Sequence, residues 1–102
     1  MNKYRDKSDF EINKAVAAFN GMVRYNVVES DEKIYTSFDE FDPCNNPADA
    51  WPIINEYGIS LIYQEREFQF ATNDGNIECS ISNPLKAAMI IFLMMKDAEN
   101  ES

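Results

Sequence analysis

The sequence contains no histidine and only two cysteines among its 102 residues. The absence of histidine excludes the catalytic triads and most general-base mechanisms that depend on an imidazole. A zinc site is also disfavoured, because zinc prefers four Cys or His ligands and this chain offers only Cys44 and Cys79. We therefore expect no cofactor, and we expect both cysteines to be free thiols in a reducing compartment.

Positive charge is scarce as well. Nine Lys and Arg residues stand against 18 Asp and Glu residues, which leaves a net charge of −9. Binding to a phosphate backbone depends on Lys and Arg contacts, so this balance predicts no direct binding of DNA or RNA. Residues 29–49 are the most acidic, with seven carboxylates and only Lys33 as a base. Such a stretch is typical of a solvated surface, but it can also bind a basic partner or imitate nucleic acid.

Long hydrophobic runs are absent. The longest, residues 87–95, covers nine residues and about 14 Å of helix, against about 30 Å for the core of a bilayer. We therefore expect no membrane span. Residues 1–7 are polar and lack the apolar segment of a signal peptide, which indicates a cytoplasmic protein.

The rest of the chain must be arranged around residues 83–97. Asn83-Pro84 is a helix opening, with an N-cap and a proline in the first turn. Two apolar stripes follow at helical spacing, made of Leu85, Ala88, Met89 and Phe92 and of Ala87, Ile90, Ile91 and Met94. Each of the two apolar faces of this helix must be buried against another part of the protein or against a second subunit. A sheet can cover one stripe, and either the first helix or a second subunit in a homodimer covers the other.

The remaining helices follow from their end signals. Ser8 and Glu11 form a capping box, and Asn20-Gly21 is a left-handed stop, so the first helix spans Asp9 to Phe19. A second helix opens at Asn46-Pro47 and ends at Gly58. Pro52 lies inside it and disfavours helical geometry at the preceding residue. Either this helix kinks or it begins at Pro52, and we favour the second alternative.

The strands follow from alternation and turn signals. Residues 22–28 and 33–38 form one predicted hairpin, and residues 59–63, 68–72 and 76–82 form three further strands. Asp74-Gly75 joins the last two, and Phe68 and Phe70 are expected on one buried face. The predicted fold is α+β, a small antiparallel sheet packed by about three helices in the order α-β-β-α-β-β-β-α. Residues 1–102 form one domain, with residues 1–7 frayed and residues 97–102 a disordered tail.

Side chains able to carry chemistry are few. Cys44 lies in a polar loop, but no cation stands nearby to lower its pKa, and its acidic neighbours would raise it. Asp39, Glu40 and Asp42 could hold Mg²⁺ or Ca²⁺, since these cations prefer oxygen ligands. Their spacing matches no known metal-binding loop.

Three segments carry a resemblance to a known family. Residues 41–54 (FDPCNNPADAWPII), residues 8–13 (SDFEIN) and residues 83–89 (NPLKAAM) resemble the NinX-like family of small proteins from lambdoid bacteriophages and prophages. The resemblance implies an accessory phage protein made in the cytoplasm of the host bacterium. It carries over no catalytic residues.

These observations lead to two hypotheses. In the first, the protein is a non-enzymatic module that binds and modulates a host or phage protein, and one form of this hypothesis makes it an acidic mimic of nucleic acid. Its recognition surface would comprise Cys44, Asn45, Asn46, Asp49 and Trp51, because a tryptophan among polar amides suits a protein contact. In the alternative, it is a small enzyme or ligand-binding protein with a divalent metal on Asp39, Glu40 and Asp42. The same segment can also be read as purely structural, with the asparagines as helix caps and Trp51-Pro52 as an apolar corner.

Overall fold

A computed structural model describes residues 3–20, 24–37 and 39–100. The elements follow in the order α1 (Asp9–Phe19), β1 (Asn26–Val28), β2 (Lys33–Tyr35), α2 (Pro47–Tyr57), β3 (Ile59–Gln64), β4 (Glu67–Asn73), β5 (Ile77–Cys79) and α3 (Pro84–Asn100). The predicted α+β class and element order are confirmed. Gly21, residues 22–23, Phe38 and residues 101–102, which belonged to predicted elements, lie outside the described residues.

Helix α3 is the centre of the core. Every side chain from Ala87 to Leu93 is completely buried, and the helix packs against α1, α2 and the strands β3, β4 and β5. The larger sheet, α1 and α2 of the same chain all pack against α3, which agrees with the alternative in which the first helix helps to cover it. Ile90 and Ile91 are therefore buried within a single chain, and a dimer is not needed to cover them.

The strands form two small antiparallel sheets, β1-β2 and β3-β4-β5, where one sheet was expected. Both hairpins of the larger sheet turn through positive φ angles, at Glu65 and Arg66 (54° and 71°) and at Asp74 and Gly75 (52° and 85°). Such pairs give the backbone twist that suits tight hairpin turns. The predicted turn at Asp74-Gly75 is confirmed, since the backbone N–H of Asn76 donates to the carbonyl of Asn73 at 3.0 Å, and the strands pair again at Asn73 and Ile77.

The prediction that Phe68 and Phe70 share a face is wrong. Ile62 pairs with Phe70 whereas the next residue, Tyr63, pairs with Phe68, so β4 contains one extra residue at this point. A β-bulge of this kind reverses the alternation of side chains along the strand. Phe68 consequently packs against the core, and Phe70 faces the other side of the sheet with Ile62.

The favoured start of the second helix at Pro52 is also wrong. Helix α2 is continuous from Pro47 to Tyr57, with Pro52 inside it. The proline removes the usual donor to the carbonyl of Ala48, four residues earlier. Both residues are exposed, so water can satisfy this carbonyl, and the helix tolerates the proline.

Residues 3 and 4 contact the last turns of α3, although residues 1–7 were expected to be frayed. Tyr4 is buried, and its hydroxyl donates to Oδ2 of Asp97 at 2.6 Å, while Nζ of Lys3 lies 3.2 Å from the same oxygen. Helix α3 continues to Asn100, past the predicted start of a disordered tail. These contacts tie the first residues to the last turns of α3.

We predict that Phe92→Ala lowers the free energy of unfolding by about 3–5 kcal/mol, because Phe92 is completely buried and its ring meets Tyr57 edge-on at 4.9 Å. Tyr63→Ala, at an exposed position, should change it by less than about 1 kcal/mol. Urea denaturation measures both. A loss below about 1 kcal/mol for Phe92→Ala would contradict the central position of α3.

Candidate functional site

The loop before α2 lies against the N-terminal ends of α1 and α3. Asn83 connects it to α3: its Oδ1 accepts from the backbone N–H of Leu85 at 3.0 Å and of Lys86 at 3.3 Å, which caps the helix. Its Nδ2 donates to the backbone carbonyl of Cys44 at 2.7 Å. One side chain thus starts the central helix and holds the loop.

Asn13 makes the corresponding connection from α1. It is buried, its Nδ2 donates to Oδ1 of Asp42 at 2.7 Å, and its Oδ1 accepts from the backbone N–H of Cys44 at 3.1 Å. The backbone N–H of Asp42 in turn donates to Oδ2 of Asp49, in the first turn of α2, at 2.9 Å. The loop is therefore bonded to all three helices.

Asp9 lies at the solvent side of these hydrogen bonds and connects the loop to Lys86 of α3. Its carboxylate accepts from Nδ2 of Asn45 at 3.0 Å and lies 3.0 Å from Nζ of Lys86. The hydrogen bond from Asn45 and the charge of Lys86 hold the pKa of Asp9 below its ordinary value, against the opposing effect of burial. We call this group the polar junction; its members are Asp9, Asn13, Asp42, Asn45, Asn83 and Lys86.

Cys44 is not available as a contact or a nucleophile. It is completely buried, and its Sγ lies 3.8 Å from the backbone carbonyl of Asp9. Burial raises the pKa of the thiol strongly, and the carboxylates of Asp9 and Asp42 raise it further. Its place among the predicted partner-binding residues is therefore wrong: its backbone, not its thiol, serves the junction.

The other predicted partner-binding residues surround the start of α2. Asn45 and Asn46 are exposed, although Asn46 also caps α2 by accepting from the N–H of Ala48 at 3.0 Å. Asp49 is half-buried and is held by its bond to Asp42. Trp51 is 55% exposed.

Trp51 lies on the solvent face of α2. The opposite face enters the core through Ala50, Ile53 and Ile54. We call the solvent face the Trp51 surface, and it comprises the exposed residues Pro47, Ala48, Trp51 and Pro52. The largest apolar side chain of α2 is thus directed away from the core.

Beside it lies a shallow depression of about 200 Å³. This acidic depression is lined by Asp39, Glu40, Asp42, Asn45 and Asn46, which unites the candidate metal ligands with two candidate partner-binding residues. The carboxylate of Asp42 is already engaged by Asn13 and Asn45. Across residues 3–20, 24–37 and 39–100, no group of three His, Cys, Asp or Glu side chains is arranged to hold a metal ion.

A larger depression of about 400 Å³ lies on the β1-β2 hairpin and its flanks. Its lining was not singled out in the sequence: Arg24, Tyr25, Asn26, Tyr35, Thr36 and Ser37. Residues of the polar junction were also missed, although one signal was present. Asn13 stands three residues after Phe10 and three before Val16, where a polar side chain interrupts an apolar helix face.

The three segments that meet at the polar junction are those that carry the sequence resemblance. The family model described as "Bacteriophage P22, NinX" matches residues 3–96. The chain belongs to this family. No curated protein and no solved structure matches it. As a NinX family member it is a bacteriophage-type protein, and among its described residues no helix has the length and apolarity needed to cross a membrane.

We predict that stability depends on the ionised form of Asp9. Because its pKa is lowered in the folded state, its contribution is complete above the unfolded pKa of about 3.8 and is lost as the pH falls through the lower folded value. Asp9→Asn should therefore be less stable than the natural protein at pH 7, and this difference should shrink under acidic conditions.

Denaturation at a series of pH values measures the effect, with Asp6→Asn as a control for the loss of one exposed carboxylate. A difference between Asp9→Asn and the natural protein that stays constant from pH 7 to below pH 3 would contradict this assignment.

Proposed function

We propose that this NinX family protein is a non-enzymatic phage accessory module that binds a host or phage protein through the Trp51 surface and the adjacent acidic depression. The observation that carries the proposal is the exposure of Trp51, at 55%, on a helix whose other face is firmly buried. Large aromatic side chains are enriched among the residues that contribute most to protein–protein binding.

The support beneath this surface is rigid. Asn46 caps α2, Asp49 bonds to the loop, and Ile53 and Ile54 are buried in the core. A contact residue on a fixed element loses little conformational entropy on binding, which raises the affinity obtained from a given contact. The Trp51 surface therefore suits recognition without rearrangement of the backbone.

The charge beside Trp51 indicates the chemistry of the partner. The acidic depression presents carboxylates of Asp39, Glu40 and Asp42, and the chain as a whole carries −9. A partner with an apolar pocket for the indole and Lys or Arg side chains around it would be complementary. A DNA-binding protein, whose surface normally meets phosphates, is one class with this character, and the protein would then act as a nucleic-acid mimic in the host cytoplasm.

The metal-dependent alternative has less support. Asp39, Glu40 and Asp42 do line one depression, but Oδ1 of Asp42 accepts hydrogen bonds from Asn13 at 2.7 Å and from Asn45 at 3.2 Å. These amide bonds already satisfy an oxygen that a cation would need.

We predict that Trp51→Ala abolishes partner capture without unfolding the protein. Affinity-tagged natural protein, Trp51→Ala and Tyr63→Ala would be compared in phage-infected bacteria by quantitative mass spectrometry. Tyr63 is a matched control, since it is 53% exposed but lies on β3. The natural protein and Tyr63→Ala should capture similar amounts of the partner. Trp51→Ala should capture at least about tenfold less of it.

The three proteins should have similar melting temperatures, because the replaced side chains are exposed. Equal retention of every captured protein by Trp51→Ala would contradict the proposal. A melting temperature that rises by several degrees with Mg²⁺, Ca²⁺ or Mn²⁺ and falls back with EDTA would favour the metal-dependent alternative.

A further inference from the structure

Strand β3 forms an open edge of the larger sheet. In the order β3-β4-β5 it pairs only with β4, and the part of the chain that the structure describes places no other strand beside it. An unpaired edge presents a row of backbone donors and acceptors to any strand that can reach it.

The pairing with β4 shows which backbone groups point outward. Gln64 and Glu67 flank a two-residue turn and are paired, so the N–H and C=O of Gln64 face β4. Alternation along β3 then directs the backbone groups of Ile59, Leu61 and Tyr63 to the open side. Within the described chain, no hydrogen bond reaches these three residues from outside the sheet.

This edge lacks the usual protection. Proteins normally guard an open edge with charged side chains, proline or a very short strand. Residues 57–64 contain no charged residue and no proline, although 26% of the chain is charged. Ile62 and Tyr63, two of the most exposed large apolar side chains described, both lie on β3 (37% and 53%). The opposite edge, β5, has only three residues and carries Glu78.

We propose that β3 pairs antiparallel with β3 of a second copy, which joins the two larger sheets into one continuous sheet in a homodimer. The outward groups fix a register across a two-fold axis in which Leu61 lies opposite Leu61 of the second copy and Ile59 lies opposite Tyr63. In this register every outward N–H and C=O of both strands finds a partner.

Charge complementarity favours a second copy over a foreign strand. The register places Gln64 opposite Gly58, the C-cap of α2, so Arg66 falls beside the last turn of α2 in the second copy. That turn contains the exposed Glu56, which forms no ion pair within the described part of the chain, whereas Lys96 of α3 already lies over the ring of Tyr57 at 4.9 Å. The complementary pair across the two-fold axis is therefore Arg66 and Glu56. Arg66 makes no ion pair with any residue that the structure describes.

The test compares the natural protein with Tyr63→Pro and Tyr63→Ala by sedimentation velocity over a wide concentration range. Tyr63→Pro removes one outward N–H without removing a bond to β4, and proline is tolerated on an edge strand. Tyr63→Ala keeps the N–H and removes only the side chain. The natural protein should dimerise. The dimer dissociation constant of Tyr63→Ala should stay within about threefold of the natural value, and that of Tyr63→Pro should be about tenfold higher or more.

Sedimentation should be measured at physiological and at higher ionic strength, because each copy carries −9 and salt screens the repulsion between the two copies. Amide hydrogen exchange on the unaltered protein provides a measurement that does not depend on the variants. The amides of Ile59, Leu61 and Tyr63 should be protected at high concentration and lose protection on dilution, whereas those of β1 should not change.

A monomer at every concentration and salt would overturn the proposal. So would a dimer that leaves these three amides unprotected. Protection that requires a different protein would also overturn it, since the edge would then receive a foreign strand.

Discussion

The complete burial of the middle of α3 is the constraint on which the rest of the structure depends. No single sheet or helix can cover a helix that is apolar on nearly all sides, so α1, α2 and the larger sheet must all pack against it. Phe92, at its centre, meets Tyr57 at the end of α2. Once this helix is covered, the positions of the other helices and of β3, β4 and β5 follow.

Covering α3 brings the N-terminal ends of the helices together and creates a need for polar partners there. The first N–H groups of a helix have no acceptors within the helix. Asn83 meets this need for α3 and Asn46 for α2, and Asn13 satisfies the backbone of the intervening loop. The polar junction thus fixes the positions of the three helices relative to one another. Because α2 is one of them, the junction also fixes the direction in which Trp51 projects.

The sequence predicts what depends on neighbouring residues and misses what depends on distant ones. The start of α1 was predicted correctly because Ser8 supplies a local cap, which accepts from the N–H of Glu11 at 3.2 Å. The bulge that separates Phe68 from Phe70 depends on cross-strand pairing, and the burial of Cys44 depends on Asn13 and Asn83, which are 31 and 39 residues away. Helix α2 tolerates Pro52 because this residue lies on the solvent face, and which face is exposed depends on how the helix packs against the core. The candidate site stays a prediction, and which of its side chains reach solvent could be learned only from the structure.

The central claim is that a rigid core directs Trp51 into solvent. Trp51 is the only tryptophan, so its fluorescence can be assigned without ambiguity. Quenching by acrylamide, compared between native and urea-unfolded protein, measures its accessibility directly. The account predicts red-shifted native emission and a quenching constant that is a large fraction of the unfolded value, as its 55% exposure requires. Blue-shifted native emission that acrylamide barely quenches would place Trp51 in the core and contradict the account.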